Sequence, residues 1–259
     1  MEESTAVTLC IDIGATSTKG CLVDEAGVAV STTVSRRTTY PLAPEGLVAT
    51  ITAIAERLDN AQRVAVGFPG MVRGGRVVSA SNLAREAGVH SAVNRDLVVA
   101  WSGFDLAGSL TEALGLEVRV ANDADVAALG CSQGTGVELT VTLGSGVGTG
   151  LVVDGHLMAH LEFSEIMLEG TDSLDWFLGE ATRRDLEPSE WDRRVAVMLR
   201  HLDAIIAFDW CWITGGNARR LRRDALGDLL ERVTVIAEPV GLLGGVRLFS
   251  ERECHTDDG

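Results

Sequence analysis

Two stretches of this chain share one plan, and that repetition limits the folds open to it. Residues 9–24 read Leu-Cys-Ile-Asp-Ile-Gly-Ala-Thr-Ser-Thr-Lys-Gly-Cys-Leu-Val-Asp, and residues 140–154 read Thr-Val-Thr-Leu-Gly-Ser-Gly-Val-Gly-Thr-Gly-Leu-Val-Val-Asp. In each, an apolar β-prone run stops at a loop of small residues, and a second apolar run ends in Val-Asp. The pattern predicts strand, loop, strand, twice. One glycine-rich turn alone would be no more than a tight hairpin. Two matched copies predict a duplicated core whose loops face a shared anion. Backbone N–H groups there can approach a phosphate closely, and the hydroxyls of Thr16, Ser17, Thr18 and Ser145 add donors.

The first copy also carries Asp12 at the end of a buried strand, where a bare carboxylate is costly unless a cation or hydrogen bonds compensate it. A Mg²⁺ ion with its waters would do so. Lys19 follows the loop as the only lysine of the chain. Either it survives among arginines by chance, or it does what arginine cannot.

Composition excludes several classes. With 46% hydrophobic and 23% charged residues over 259 positions, the chain can bury a sizeable core as one large or two modest domains. A formal charge of -15 argues against nucleic acid or an anionic membrane as partner. The cysteines at 10, 21, 131, 211 and 254 are scattered without a Cys-x-x-Cys pair. That predicts reduced thiols in a cytoplasmic protein, and no zinc site. The acidic start is not a signal peptide, and no apolar run approaches the ~20 residues needed to span a bilayer.

Along the chain the pattern alternates between strand and helix. Strands at about 6–13, 19–24 and 28–34 form an antiparallel meander with a turn at Asp24–Gly27. A helix follows Pro44, with Leu47, Ile51, Ile54 and Leu58 at helical spacing. Val64–Phe68 is a buried strand, Arg73-Gly-Gly-Arg76 a hairpin turn, and a helix from about Asp105 stops at Gly115. The strand 117–121 runs into Asn122-Asp123-Ala124-Asp125 and a helix of small apolar residues. Asn122 is a natural N-cap, and acids in a first turn suit the helix dipole. The same acids lie at a strand end opposite the second loop, where an ionised Asp beside a bound hydroxyl is a ready general base. Asp123, nearer the strand, is preferred over Asp125 for that role.

The second half repeats the plan. An amphipathic region begins at Ser173, a helix spans 189–207, and the strand 210–214 runs into Gly215-Gly216. A Gly-Gly at a strand end opening a helix lets a flat ligand pack on backbone, although it serves as often as a tight connection. A last helix from about Val240 carries Gly241, Gly244 and Gly245, a sign of close helix packing or ligand contact.

Taken in order, Asp12-Ile-Gly-Ala-Thr16 with Lys19, Gly67-Phe-Pro-Gly70 leading to Ser81-Asn82-Leu83, Asn122-Asp-Ala-Asp125, Leu143-Gly-Ser-Gly-Val-Gly148, Glu162 and Ile213-Thr-Gly-Gly216 resemble the ROK sugar kinases over the whole chain. The similarity is greatest to the short, zinc-free polyphosphate glucokinases of that family. The resemblance implies an α/β, two-domain actin-like ATPase fold, ribonuclease H-like and hexokinase-type, with a duplicated core. Residues 1–118 would form one domain, joined by a C-terminal helix 240–259, and 119–239 the other. It implies transfer of a phosphoryl group from ATP or polyphosphate to the primary hydroxyl of a glucose-type hexose, in a homodimer. Asp123 would be the base, and Asn82, Asn122 and Glu162 would hold other sugar hydroxyls. Asp12 would hold Mg²⁺ through water. Gly14, Ala15, Thr16, Lys19, Gly144, Ser145 and Gly146 would line the phosphates, with Gly215 and Gly216 near a nucleoside.

The chain departs from the family where Glu-x-Gly-His becomes Glu162-Phe-Ser-Glu165. Either Glu165 turns to solvent, or Glu162 and Glu165 together favour a sugar bearing an ammonium group, such as kanosamine. Arg219, Arg220, Arg222 and Arg223 could guide polyphosphate, but so close a spacing wraps round a helix, and a solvated surface is the simpler reading. A non-catalytic sugar sensor and a bare ATPase of the same superfamily are the alternatives. Intact Asp12 and Asp123 weigh against the first, and Asn122-Asp123 with the 67–70 segment against the second.

Overall fold

A computed structural model describes residues 6–88, 91–167, 173–236 and 240–250. The first sheet has the order β3-β2-β1-β4-β7, built from β1 (Thr8–Ile13), β2 (Ser17–Val23), β3 (Val34–Arg37), β4 (Arg63–Phe68) and β7 (Glu117–Asn122). β1, β2 and β3 run antiparallel, and β4 and β7 continue parallel to β1. Helix α1 (Pro44–Ala55) crosses from β3 to β4. A small hairpin of β5 (Met71–Arg73) and β6 (Arg76–Ser79), then α2 (Arg95–Trp101) and α3 (Leu106–Leu114), separate β4 from β7.

The second sheet repeats this. After α4 (Asp123–Cys131) come β8 (Val137–Leu143), β9 (Val147–Val153) and β10 (His156–Leu157), then α5 (Leu174–Leu178), α6 (Glu180–Asp185) and α7 (Pro188–Ile206). β11 (Trp210–Thr214) and β12 (Val233–Val235) complete the order β10-β9-β8-β11-β12, with the same senses of pairing as the first sheet. The duplicated core expected from the two glycine hairpins is therefore present.

Strand periodicity explains where the cores lie. In β1, Leu9, Ile11 and Ile13 enter one cluster with Phe68 and Trp101, while Cys10 on the opposite face joins Cys21 and Ala65. That second face meets α4 through Val126, Ala128 and Leu129, and α4 also lies on Val152 of β9. Helix α4 is thus packed between the two sheets, which is why its sequence is small and apolar on nearly every side. On β9, a Cβ at Gly150 would come within 2.6 Å of the Ala124 carbonyl and 2.7 Å of Ala128 Cβ, so only glycine lets helix and strand lie this close. The C-terminal segment, α8 (Val240–Leu243) and a 3₁₀ turn over Gly244–Phe249, closes the other side of α4.

Three expectations need correction. The third strand lies at Val34–Arg37, and residues 28–33 contribute only a bridge from Ala29 to Val23. The Leu22 N–H donates to Ser31 Oγ at 2.9 Å, so a side chain replaces the backbone partner and the ladder breaks there. The segment after Gly215-Gly216 opens only into a 3₁₀ turn, Ala218–Arg220. The C-terminal helix stops at Leu243, because Gly244 and Gly245 press against α4 and β1, and residues 251–259 lie outside the described residues. Helix α2, capped by Asn94 Oδ1 on the Leu97 N–H, had no counterpart in the sequence reading.

Glu138 of β8 ties the end of α4 to the second sheet. It is only 1% exposed and accepts from Ser132 Oγ, the Gln133 and Gly134 N–H groups, and Trp212 Nε1. Burial would raise its pKa, but these donors outweigh burial and hold the carboxyl below its ordinary value. Because its folded pKa is depressed, it stabilises the protein above the unfolded carboxylate pKa, and that contribution is lost as pH falls through the folded value. We expect Glu138→Gln to lower stability by about 2 kcal/mol, since an amide N–H would oppose converging donors. Urea unfolding at pH 7 measures this, and the gap between variant and wild type should close toward pH 3.

Candidate active site

Both sheets point the C-terminal ends of their parallel strands at one cleft. Asp12, near the end of β1, stands beside Gly67 of β4, which pairs with Ala121 just before the Asn122 cap. Asn122 Oδ1 accepts from the Ala124 N–H at 2.8 Å, and its Nδ2 donates to the Gly70 carbonyl at 3.0 Å. One side chain therefore caps α4 and clamps the 67–70 segment to it. A Cβ at Gly67 would lie in ordinary contact, 3.4 Å from Asp123 Cα, which places the first turn of α4 directly against β4.

Asp123 keeps a partly exposed edge in the cleft while sitting deep enough to lose water. Burial first, then the charges of Asp12, Glu162 and Asp125, lift its pKa to about 7, against the opposing pull of the Ala124 N–H. Asp12 is raised too, by burial, and Lys19, its cross-strand partner, pulls it back. The charge of Asp12 is among the causes that raise Asp123, and a cation held at Asp12 would offset it. Lys19 itself is exposed.

The first loop is held by backbone bonds. The Gly14 N–H donates to the Ser17 carbonyl at 3.0 Å, and Thr38, just after β3, donates from its N–H to Thr16 and from Oγ1 to Gly14. In the second loop the Gly144 N–H donates to the Gly146 carbonyl, and Asp175 Oδ1 accepts from the Val147 N–H at 2.7 Å. Gly215, at φ 95°, lies against the Leu143 backbone, where any Cβ would clash. By contrast, a Cβ at Gly144 or Gly216 would meet nothing within 4 Å, so both present bare backbone to open space.

Ala15 and Thr16 of one loop and Ser145 of the other line a single cavity of about 430 Å³. Arg37 and Arg184 line it as well, one from each half of the chain. Neither was anticipated. Glu180 organises the second side: it accepts from Arg183, Arg184 and Asn217 Nδ2, its N–H donates to Ser145, and Asn217 Nδ2 also reaches the Gly144 carbonyl. Arg183 first, then Arg184 and Asn217, draw the Glu180 carboxyl down to about 2. The arginines after the Gly-Gly are placed elsewhere: Arg222 pairs with Asp192 of α7 at 2.6 Å, and Arg219 and Arg220 are exposed.

Beyond β10, Glu162 precedes a 3₁₀ turn over Phe163–Glu165 and accepts from Ser164 Oγ at 2.6 Å. His160 is buried between Asp125, at 3.0 Å from Nδ1, and Glu162, at 3.4 Å from Nε2. Glu165 is exposed, as is Asn82, whose carbonyl accepts from Tyr40 Oη at 3.4 Å. Asp12, Asp123, Asp125 and Glu162 thus gather in one place, and the two loops meet at one cavity. The sequence reading missed His160, although it stands two residues before Glu162.

The model of the ROK family matches residues 8–161. A polyphosphate glucokinase of Mycobacterium tuberculosis is 25% identical over 235 residues, covering 87% of this chain and 83% of its own. The crystal structure of inorganic polyphosphate/ATP-glucomannokinase from Arthrobacter sp. strain KM superimposes with a TM-score of 0.78 at 26% identity, over 95% of this chain and 98% of that one. A ROK family glucokinase from Streptomyces griseus, in complex with glucose and AMPPNP, has the same fold at 20% identity, with a TM-score of 0.73 over 94% and 99% of the two chains. The fold is that of the two-domain actin-like ATPases, and the chain belongs to the ROK family.

Proposed function

We propose that this protein is a sugar kinase that transfers a phosphoryl group from ATP or polyphosphate to the primary hydroxyl of a glucose-type hexose. One observation carries the reading most: Asp123, whose carboxyl is lifted to about 7 by burial and by Asp12, opens α4 where that helix packs on β9, the strand after the second glycine loop, while Asp12 stands two residues before Gly14 of the first. A carboxyl poised near neutrality at a helix N-terminus can take a proton from an alcohol as the alcohol attacks. Asn122, Asn82 and Glu162 hold the sugar, while Gly14, Ala15, Thr16, Lys19, Gly144, Ser145 and Gly146 receive the phosphates. Gly215 and Gly216 receive a nucleoside. Asp12 holds Mg²⁺, which when bound draws charge off the transferring phosphates. Phosphoryl transfer leaves little covalent work to the protein, so alignment of donor and hydroxyl carries most of the rate.

The same reading divides the chain into residues 1–118 with the C-terminal segment, and 119–239. It makes the protein a homodimer. Free thiols at Cys10, Cys21, Cys131 and Cys211 support a reducing, cytoplasmic location.

Among acceptors, the exposure of Glu165 is the outcome in which that carboxylate turns to solvent, and it favours an uncharged glucose-type hexose over an amino sugar such as kanosamine. The polyphosphate and ATP enzymes among the relatives, together with Arg37 and Arg184 facing one cavity, support use of both donors. Incubation of glucose, mannose and amino sugars with each donor, read by ³¹P NMR for a 6-phosphate, tests the whole proposal. Absence of any sugar phosphate with either donor would reject it. We expect Arg37→Ala combined with Arg184→Ala to raise the KM for polyphosphate about tenfold, with a smaller change for ATP, which keeps its nucleoside contacts. Glu165→His should leave the ratio of turnover on amino sugars and glucose unchanged, and a shift toward glucose would restore the amino-sugar preference.

A further inference from the structure

The backbone groups of the second glycine loop, Gly144 to Val147, can be accounted for one at a time. The carbonyls of its first three residues are all tied back. Gly144 accepts from Asn217 Nδ2 at 3.0 Å, Ser145 from the Glu180 N–H at 3.1 Å, and Gly146 from the Gly144 N–H at 2.9 Å. Among the N–H groups, that of Gly144 is spent in this way, and that of Val147 goes to Asp175 Oδ1 at 2.7 Å. The Ser145 and Gly146 N–H groups have no partner among the described residues, and neither has the Ser145 hydroxyl. The loop is left with donors alone. Two of them are consecutive amides, a concavity suited to an anion, and exposed Ser145 lines the cavity shared with the first loop.

Apart from the bond between Gly144 and Gly146, every tie comes from outside the β8–β9 hairpin. Asp175 reaches in from the first turn of α5, and a Cβ at Gly146 would run into its Oδ1, so glycine there lets the carboxylate meet the Val147 amide. Asn217 lies buried just after β11, where its N–H donates to the Leu143 carbonyl. Its Nδ2 is shared between the Gly144 carbonyl and Glu180 Oε2, the latter at 2.9 Å. Both hydrogens of that nitrogen are therefore directed, and the amide cannot flip without setting its own oxygen against two others.

We propose that Asp175 and Asn217 are positioning residues of the donor half-site, each holding one end of the loop so that the Ser145 and Gly146 amides stand ready for a terminal phosphate of ATP or polyphosphate. This rests on the reading of the loop as a phosphate contact. Preorganisation of this kind spares the donor the cost of ordering the loop and of turning carbonyl oxygens away from its own. A carboxylate near a phosphate site repels the donor, but Asp175 is exposed and water screens it. Its part is that of an acceptor, which a neutral amide oxygen fills equally well.

The test compares wild type with Asp175→Ala, Asp175→Asn and Asn217→Asp. In Asp175→Ala the Val147 amide loses its acceptor, and in Asn217→Asp a carboxylate faces the Gly144 carbonyl and Glu180. We expect both to raise the KM for ATP and for polyphosphate about tenfold, with the sugar KM within about twofold and kcat lowered by less than about fivefold. Asp175→Asn should restore the donor KM to within about twofold of wild type. Should the variants fail to fold, the amide resonances of the wild type decide: inorganic tripolyphosphate should shift Ser145 and Gly146, while the Val147 N–H stays slow to exchange with solvent. An unchanged donor KM in Asp175→Ala, donor and sugar KM rising together, Asp175→Asn as impaired as Asp175→Ala, or Ser145 and Gly146 amides indifferent to tripolyphosphate would each overturn the proposal. None of these touches the kinase reading, which stands or falls on formation of sugar phosphate by the wild type.

Discussion

Asp123→Asn should lower kcat by about 10³- to 10⁴-fold while the sugar and donor KM values change little. The amide keeps the shape of the side chain, and its single oxygen can still accept the Ala124 N–H that Asp123 Oδ1 accepts at 2.9 Å. Only the capacity to take a proton is lost. The variant should be no less stable than the wild type. Burial and the neighbouring acids raise the folded pKa of Asp123, so its ionised form is disfavoured in the native state and costs stability increasingly as pH rises from the unfolded carboxylate value toward about 7. A neutral amide avoids that cost. A low kcat with an undiminished melting temperature would therefore separate lost chemistry from lost fold. A variant that turned over at the wild-type rate would end the case for Asp123 as the base.

The pH profile carries the same argument. A base at Asp123 must be ionised to act, so on that proposal kcat/KM should rise with pH through about 7. Asp12 is the largest charge contribution to that elevation. A divalent cation at Asp12 neutralises it, so raising Mg²⁺ should move the acid limb to lower pH. A limb indifferent to Mg²⁺ would place the metal elsewhere.

What the sequence disclosed, and what it hid, follows from how local each signal is. The two loops were legible because small residues between β-prone runs are a pattern of a few consecutive positions, and their facing each other followed from the repetition. Asn122 was legible as a cap for the same reason. His160 was not, because its meaning depends on Asp125, thirty-five positions away, and on a loop whose path no local pattern fixes. Arg37 and Arg184 were hidden likewise: each is an ordinary surface arginine until β3 and α6 bring them to one cavity. The strand placed at 28–34 failed because alternation of Val28 and Val30 looks like a buried face, whereas both are more than half exposed and Ser31 takes the ladder bond. The glycines of the C-terminal segment were read correctly as a mark of close packing, but their consequence for helix length needed the partner in view.

That close packing makes Gly244→Ala the substitution with the largest expected effect on stability. A Cβ at Gly244 would run into the Val126 carbonyl and lie 2.7 Å from the Gly130 nitrogen, and both are backbone atoms of α4 that no rotamer change can move aside. Gly130 answers from the other side, where a Cβ would come 2.9 Å from the Val240 carbonyl and 3.2 Å from Gly244 Cα. Helix α4 and the C-terminal segment touch through paired glycines. Adding one methyl must push α4 and the C-terminal segment apart, opening the cluster formed by Cys10, Ala65, Val126, Leu129 and Val246. Overpacking of this kind costs about 3 kcal/mol, which for a chain of this size lowers the melting temperature by roughly 6–12 °C. Gly241→Ala is the control: it lies in α8, and its Cβ would meet nothing within 4 Å, so it should be neutral or slightly stabilising. Because α4 begins at Asp123, any shift of the helix also moves the base relative to Asp12 and the glycine loops. Gly244→Ala should therefore lose kcat below its melting temperature, whereas Gly241→Ala should not. If both variants melted and turned over like the wild type, the C-terminal segment would not be what holds the catalytic helix between the sheets.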